Sequence, residues 1–295
     1  MTASREPIAD KHGQALSAQR FQMIKDIADE LAAGDVVFPT SFDAAFRLRR
    51  ELQNPDLPIT RISSIVSLEP LVATRLLQLA NSALYQAHGA PALDLKAAIT
   101  RVGVDLVRTT ALAIAMRQLM RSKDIAIFSD LTVALWNHTL KTAAATRILA
   151  RTQTRINQDE ALLAGLVHDL GAFYMLYRAV QYPELCARPD SMRFLIMQWH
   201  EGIGVSLLGA LGMPEEIVNA TIDHDQPRPA LTASTAIQTL ADIVYVGNIL
   251  AGTHFEWLHQ DVDPNAGETA AFRERYADLL PAIEADAQEM QTIFA

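Results

Sequence analysis

A single cysteine, Cys186, stands in 295 residues. One thiol cannot close an intramolecular disulfide or supply a cysteine-rich zinc site, so disulfide scaffolds and zinc-finger modules are excluded. Aromatic residues are only 6% of the chain. Strand-like runs that alternate apolar and polar residues between turn dipeptides are missing, so a sheet protein is not expected. No stretch reaches the roughly 18 uninterrupted apolar residues needed to cross a bilayer. Met1–Gln14 is polar and lacks the apolar centre of a secretory signal. The expectation is a cytoplasmic protein without membrane contact. Positive charge is also short: 25 Lys and Arg against 34 Asp and Glu leave −9, which argues against general nucleic-acid binding. The local cluster Arg47, Arg49 and Arg50 reads most simply as a solvated helix face. No glycine-rich phosphate loop, short-period repeat or low-complexity tract is present.

Half of the residues are hydrophobic, and their spacing is helical almost everywhere. Helices are predicted over 17–33, with Phe21, Ile24, Ala28 and Leu31 inward and Gly34 as the stop, and over 42–52. Two more fall within 59–87, broken at Glu69-Pro70, and two within 94–121 around Gly103. The second half predicts helices over 130–151, 158–178 and 191–211, one opened by Pro214, one over 233–251, and a last amphipathic helix ending near Phe294. Proline at a first turn and glycine just past an end mark several of these boundaries. The fold class is all-α.

Within this apolar helical pattern a few ionisable residues are out of place. His168 and Asp169 are adjacent in the middle of Ala161–Gly171. His138, His200, His224 and Asp242 each interrupt an apolar helical stripe as well. A buried carboxylate must be paired, hydrogen-bonded or metal-bound. Inward His and Asp residues on several helices can meet in a bundle core and form one shared site. Imidazole with carboxylate suits divalent zinc, iron or manganese. A metal so held would lower the pKa of bound water and clamp a phosphate oxygen. The plainer reading stays beside this one: a lone inward histidine is commonly a hydrogen-bonded core residue, and an interior aspartate can cap a helix. Ala164 and Gly165 are small enough for a neighbouring helix to approach closely. Trp136 and Trp199 read as core packing, and His12, His88, His254 and His259 as loop or surface residues.

Several segments resemble the HDOD domain family, a signalling branch of the HD superfamily in bacteria. They are Glu69-Pro70 and Leu76-Leu77 before Asn81-Ser82-Ala83-Leu84-Tyr85, then Ala98-Ile99 through Gly103, Trp136-Asn137-His138, Gly165 through Gly171, His200 through Gly204, and Pro214 through His224. The resemblance runs over roughly residues 38–245. Glu69 replaces the family's usual aspartate, and Asp223 stands where histidine is usual.

The resemblance implies an N-terminal helical lobe packed on an HD-like helical bundle. The corresponding boundaries are 1–35 for a tail and first helix, 36–123 for the N-terminal lobe, 124–230 for the HD-like lobe, and 231–295 for helices completing it. It implies His138, His168, Asp169, His200, His224 and Asp242 as the ligand set. Asp223 is added because aspartate in place of histidine still binds metal and shifts the preferred ion. The implied function is regulatory: a scaffold or ligand sensor with signalling protein partners, a divalent metal (Fe, Mn or Zn) and a nucleotide as a candidate ligand. The alternative is a metal-dependent phosphohydrolase acting on a nucleotide or phosphodiester. No Gly-Tyr-Pro motif supports the cyclic-dinucleotide phosphodiesterase branch.

Overall fold

The computed structural model describes residues 13–34, 36, 40–54, 56–85, 90–228, 230–252 and 267–294. His12, His88, His254 and His259, expected in loops or on the surface, lie outside the described residues. Among the described residues the chain is helical throughout, with no strand. The helices are α1 (Gly13–Ala33), α2 (Thr40–Glu51), α3 (Ile59–Val66), α4 (Pro70–Ala80), α5 (Leu95–Met120), α6 (Ser129–Gln153), α7 (Gln158–Val167), α8 (Leu170–Ala179), α9 (Pro183–Cys186), α10 (Pro189–Ala210), α11 (Glu215–Ala220), α12 (Leu240–Ala251), α13 (Gly267–Arg275) and α14 (Leu280–Phe294). A 3₁₀ turn, Lys123–Phe128, joins α5 to α6. No helix among the described residues is long and apolar enough to cross a membrane.

Local chemistry explains several boundaries. Pro70 opens α4, where a missing N–H costs nothing. The Asp94 carboxylate accepts the Ala97 N–H at 2.8 Å and starts α5. Asn157 accepts from Asp159 N at 2.8 Å and starts α7. Past α10, Gly212 has φ +65 and the Met213 N–H reaches back to the Leu208 carbonyl at 3.0 Å, closing the helix end. Gly103 takes φ +81, ψ 166 within α5, a non-helical conformation that divides it into two helical segments, as expected around that residue.

Helix α5 is the common partner of α2, α3 and α4, and α6 is the common partner of α7, α12 and α14. Small residues bring the second group together. A Cβ on Gly165 would stand 2.4 Å from Thr146 Oγ1 and 2.8 Å from the Ala143 Cα, and one on Gly247 would stand 2.6 Å from Thr146 Cγ2. Helices α7 and α12 therefore touch α6 nearly backbone to backbone. Helix α1 lies against α8, α9 and α10, tied by Arg20 to Ser191, Glu30 to Arg178, and Tyr182 to Asp26. Its buried residues are Leu16, Met23 and Ile27, while Phe21 is 71% exposed. The inward face is thus rotated in part from the one expected, Ile24 and Leu31 still packing against the core while Phe21 turns to solvent.

The Asn81–Tyr85 segment follows α4 and ties the two helix groups together. Asn81 closes a loop on itself through Ala92, donating to the carbonyl at 2.9 Å and accepting the N–H at 2.7 Å. Tyr85 then donates to Asp159 at 3.0 Å and lies under the Arg147 guanidinium at 4.7 Å. Arg147, buried on α6, donates to the Leu84 carbonyl at 2.8 Å and pairs with Asp286 of α14 at 2.9 Å.

Two expected helices start or stop elsewhere. The helix predicted over 158–178 is broken at His168-Asp169 into α7 and α8, where Asp169 takes φ −99, ψ 15. In an unbroken helix consecutive side chains diverge by about 100°, so this break lets both residues face one point. The helix predicted over 233–251 begins at Leu240. Thr239 accepts the Asp242 N–H at 3.1 Å while the Asp242 carboxylate accepts the Thr239 N–H at 3.0 Å, a reciprocal cap that outweighs the apolar pattern upstream.

Candidate metal centre

Four histidines and one aspartate meet where α6, α7, α8, α10 and the segment after α11 converge. His138 projects from the middle of α6, His168 ends α7, Asp169 starts α8, His200 lies on α10, and His224 follows α11. All five are buried, His138 at 7% exposure and the rest at 1–2%. Gly171 allows the approach of α8 to α10, since a Cβ there would stand 2.1 Å from the His200 carbonyl and 2.6 Å from Gly204 N.

The Asp169 carboxylate is the centre of the cluster. Its Oδ2 lies 3.1 Å from His168 Nε2 and 3.8 Å from His138 Nε2, and its Oδ1 lies 3.3 Å from His224 Nε2 and 3.4 Å from His200 Nε2. Burial raises its pKa, but the His168 imidazole, hydrogen bonds from His168 and His224, and the charge of His200 outweigh that and hold it well below the usual carboxylate range.

Three of the imidazoles are oriented by backbone carbonyls. His168 Nδ1 is 2.7 Å from Gly165 O, His200 Nδ1 is 2.7 Å from Ile196 O, and His224 Nδ1 is 2.9 Å from Thr221 O. A carbonyl only accepts, so each Nδ1 carries a proton and each Nε2 is turned to the centre. His200 Nε2 and His224 Nε2 stand 3.3 Å apart, as do His138 Nε2 and His168 Nε2. The His200 and His224 Nε2 lone pairs cannot face each other at that distance unless a positive centre is shared between them, whereas a neutral His138 can donate an Nε2–H to His168 Nε2. In the metal-free state a proton serves: burial opposes charge on His224, yet Asp225 and Asp169 push its pKa up to about 10. His200 is likewise raised, burial being outweighed by Asp225 and Asp169. His138 goes the other way, lowered to about 4 by burial. Converging Nε2 atoms whose Nδ1–H groups are held by carbonyls also form the arrangement that supports a metal ion. The donor set therefore fits one.

The donors fall into two groups that could each hold a metal ion. His138, His168 and Asp169 form a fully buried one. His200, Glu201, His224 and Asp225 form the other, with Glu201 and Asp225 partly exposed. Within each group the ligand atoms lie within 4.8 Å of one another.

Two of the expected site residues lie elsewhere. The Asp242 carboxylate caps α12, accepting from Gln238 N at 3.2 Å and Thr239 N at 3.0 Å, and faces Arg228 at 3.5 Å. Its inward pattern comes from the first turn of a buried helix, where a carboxylate is worth most as a cap. Asp223 is exposed and takes φ +51. That left-handed turn directs the next residue, His224, inward and leaves Asp223 in solvent. Asp225, which the sequence pattern does not single out, stands in the cluster instead, its Oδ2 3.3 Å from His200 Nε2. The available signal was a second His-Asp pair, His224-Asp225, repeating His168-Asp169. Glu201 joins it, its Oε1 accepting the Asp225 N–H at 2.8 Å. Thr142, one turn along α6, contacts His138 Nε2 at 3.2 Å. Trp136 is buried against Phe173, but Trp199 is 48% exposed rather than packed in the core.

The HDOD domain family matches residues 38–227, and the chain belongs to it. An uncharacterized protein of Treponema pallidum (strain Nichols) is 25% identical over 244 residues, which is 77% of this chain and 44% of that protein; the chain thus spans less than half of that relative's length. A Shewanella amazonensis SB2B protein provisionally named a metal-dependent phosphohydrolase has a similar fold, with a TM-score of 0.69 at 20% identity over 94% of this chain and all of its own. A protein from Marinobacter aquaeolei VT8 provisionally named for signal transduction is similar at a TM-score of 0.54 and 19% identity, over 97% of this chain and 68% of its own.

Proposed function

We propose that this HDOD protein is a cytoplasmic regulatory module of bacterial signalling. In this reading residues 124–295 form an HD-like lobe that binds divalent metal and acts as scaffold or sensor, and residues 36–123 contact protein partners. The observation that carries it is the enclosure of the donor set: Asp169 and the imidazoles of His168, His200 and His224 are 1–2% exposed. A site that hydrolyses phosphodiesters needs room beside the metal for water and a substrate phosphate. A buried donor set instead suits an ion that stabilises one arrangement of the helices.

His168, His200 and His224 would each offer a neutral Nε2, Asp169 would offer one oxygen to each donor group, and His138, Asp225 and Glu201 would complete the two groups. Iron, manganese or zinc suits such mixed nitrogen and oxygen donors. A bound divalent cation supplies Lewis acidity and a locally fixed positive charge. The chain's own residues set its surroundings: the Gly165, Ile196 and Thr221 carbonyls fix the imidazole tautomers, and α6, α8 and α10 exclude water.

The phosphohydrolase reading is favoured by one observation, the partial exposure of Asp225 and Glu201, which gives the second donor group a path to solvent. In that reading Asp225 or Glu201 would accept the proton of an attacking water, and a nucleotide or phosphodiester would be the substrate. Metal analysis of the purified protein together with a generic phosphodiester hydrolysis assay separates the two. The regulatory reading expects bound Mn, Fe or Zn and negligible turnover. Efficient hydrolysis, abolished by Asp169→Ala without a change in melting temperature, would replace it with the enzymatic one.

A further inference from the structure

Helix α12 carries one amide in a run of inward side chains. Asn248 is 2% exposed, within the wholly buried stretch Ile243–Leu250. An amide there costs free energy unless its hydrogens are taken. Both acceptors of its Nδ2 belong to one dipeptide, Asp225 Oδ1 at 2.8 Å and the His224 carbonyl at 3.3 Å. That dipeptide follows the left-handed Asp223, lies beyond the end of α11, and is not itself helical. Its position must therefore come from neighbours.

Asp225 is the more mobile kind of ligand. Its side chain keeps 13% exposure, so a free carboxylate there could turn to water. With Oδ1 engaged by Asn248, the other oxygen is left facing His200 Nε2 at 3.3 Å. A donor held by a buried helix does for Asp225 what backbone carbonyls do for the imidazoles.

We infer that Asn248 is the positioning residue of the more open donor group. By holding Asp225 Oδ1 and the His224 carbonyl, it presents Asp225 and His224 to a divalent cation shared with His200. It has no such part in the His138–His168–Asp169 group. The inference rests on the metal-binding reading above.

The test uses the full chain, stripped of metal and titrated with Mn²⁺, followed by calorimetry and by electron paramagnetic resonance of the bound ion. The wild-type chain is expected to take up two ions. Asn248→Leu, of similar volume, is expected to weaken one of them roughly 10- to 100-fold, the usual effect of losing a group that orients a ligand, and to leave the other unchanged. In an Asp225→Ala background the same substitution is expected to weaken that ion markedly less, because of the two groups Asn248 holds only the His224 carbonyl remains. A packing role alone would lower the melting temperature equally in both backgrounds and leave both affinities alone. Equal weakening with and without Asp225, or two unchanged ions in Asn248→Leu, overturns the inference while metal binding stands. A wild-type chain that takes up no Mn²⁺ overturns the metal-binding reading and the inference with it. Should Asn248→Leu fail to fold, Asn248→Asp fills the same space without the amide hydrogens and is judged by the same two comparisons.

Discussion

His168 and Asp169, consecutive in the chain, cap the end of α7 and the start of α8, and their side chains still meet, Nε2 to Oδ2, at 3.1 Å. The meeting depends on the break between α7 and α8. It places one fully buried carboxylate against four imidazoles, while Asp225 meets His200 from the more open side.

Asp169→Ala is expected to abolish Mn²⁺ uptake and to destabilise the metal-free protein by about 3 kcal/mol or more, the range for removing one partner of a buried charged pair. Urea denaturation with and without EDTA measures both effects. Unchanged stability and unchanged metal content would show that the cluster is neither a metal centre nor a charge-balanced core.

Asp242→Ala separates cap from ligand. Losing the carboxylate that accepts from Gln238 N and Thr239 N should cost about 1 kcal/mol, as should Thr239→Ala from the other side of the same cap. Mn²⁺ binding should match that of the wild type in both variants. A lost ion in Asp242→Ala would return Asp242 to the ligand set.

The contact of α8 with α10 gives a graded glycine series. Gly171→Ala forces a Cβ into backbone atoms of His200 and Gly204 and should cost about 3 kcal/mol, at the upper end of overpacking. It should also reduce metal uptake by shifting His200. Gly204→Ala meets neighbours only at 3.4 Å and beyond, so its cost should be small. Gly202→Ala meets nothing within 4 Å and should stabilise by roughly 0.5–1 kcal/mol through helix propensity. Thermal melting of the three variants checks the order.

Arg147→Met leaves Asp286 and the Leu84 carbonyl without their donor. Asp286 is partly exposed, so the expected cost is about 2 kcal/mol, below that of a fully buried pair. Asp286→Leu in the same chain should recover part of it. Because Arg147 joins the Asn81–Tyr85 segment to α6 and α14, the single variant should also be cut sooner by protease within Asn81–Tyr85. Wild-type stability and an unchanged digestion pattern would deny the pair that role.

The all-α class, most helix positions and the inward placement of His138, His168, Asp169, His200 and His224 follow from the amino-acid sequence alone. Apolar spacing, Pro70 at a first turn and Gly212 past an end act within a few residues of themselves, so no knowledge of neighbouring helices is needed to read them. Which carboxylates join the histidines is a different kind of question. Asp223 and Asp225 flank His224 symmetrically in sequence, and the left-handed turn at Asp223, the Glu201 carboxylate on the Asp225 N–H and the Asn248 amide on α12 together place Asp225 inward. Asp242 sits in an apolar helix as a ligand would, yet the unsatisfied N–H groups at the start of α12 claim it first. A carboxylate serves equally well as cap, ion-pair partner or metal ligand, and which of these it becomes depends on the donor that packing brings within about 3 Å. For Asp242 that donor is the backbone three and four residues upstream, but for Asp225 it is Asn248, on a helix elsewhere in the chain, and there the tertiary structure alone decides.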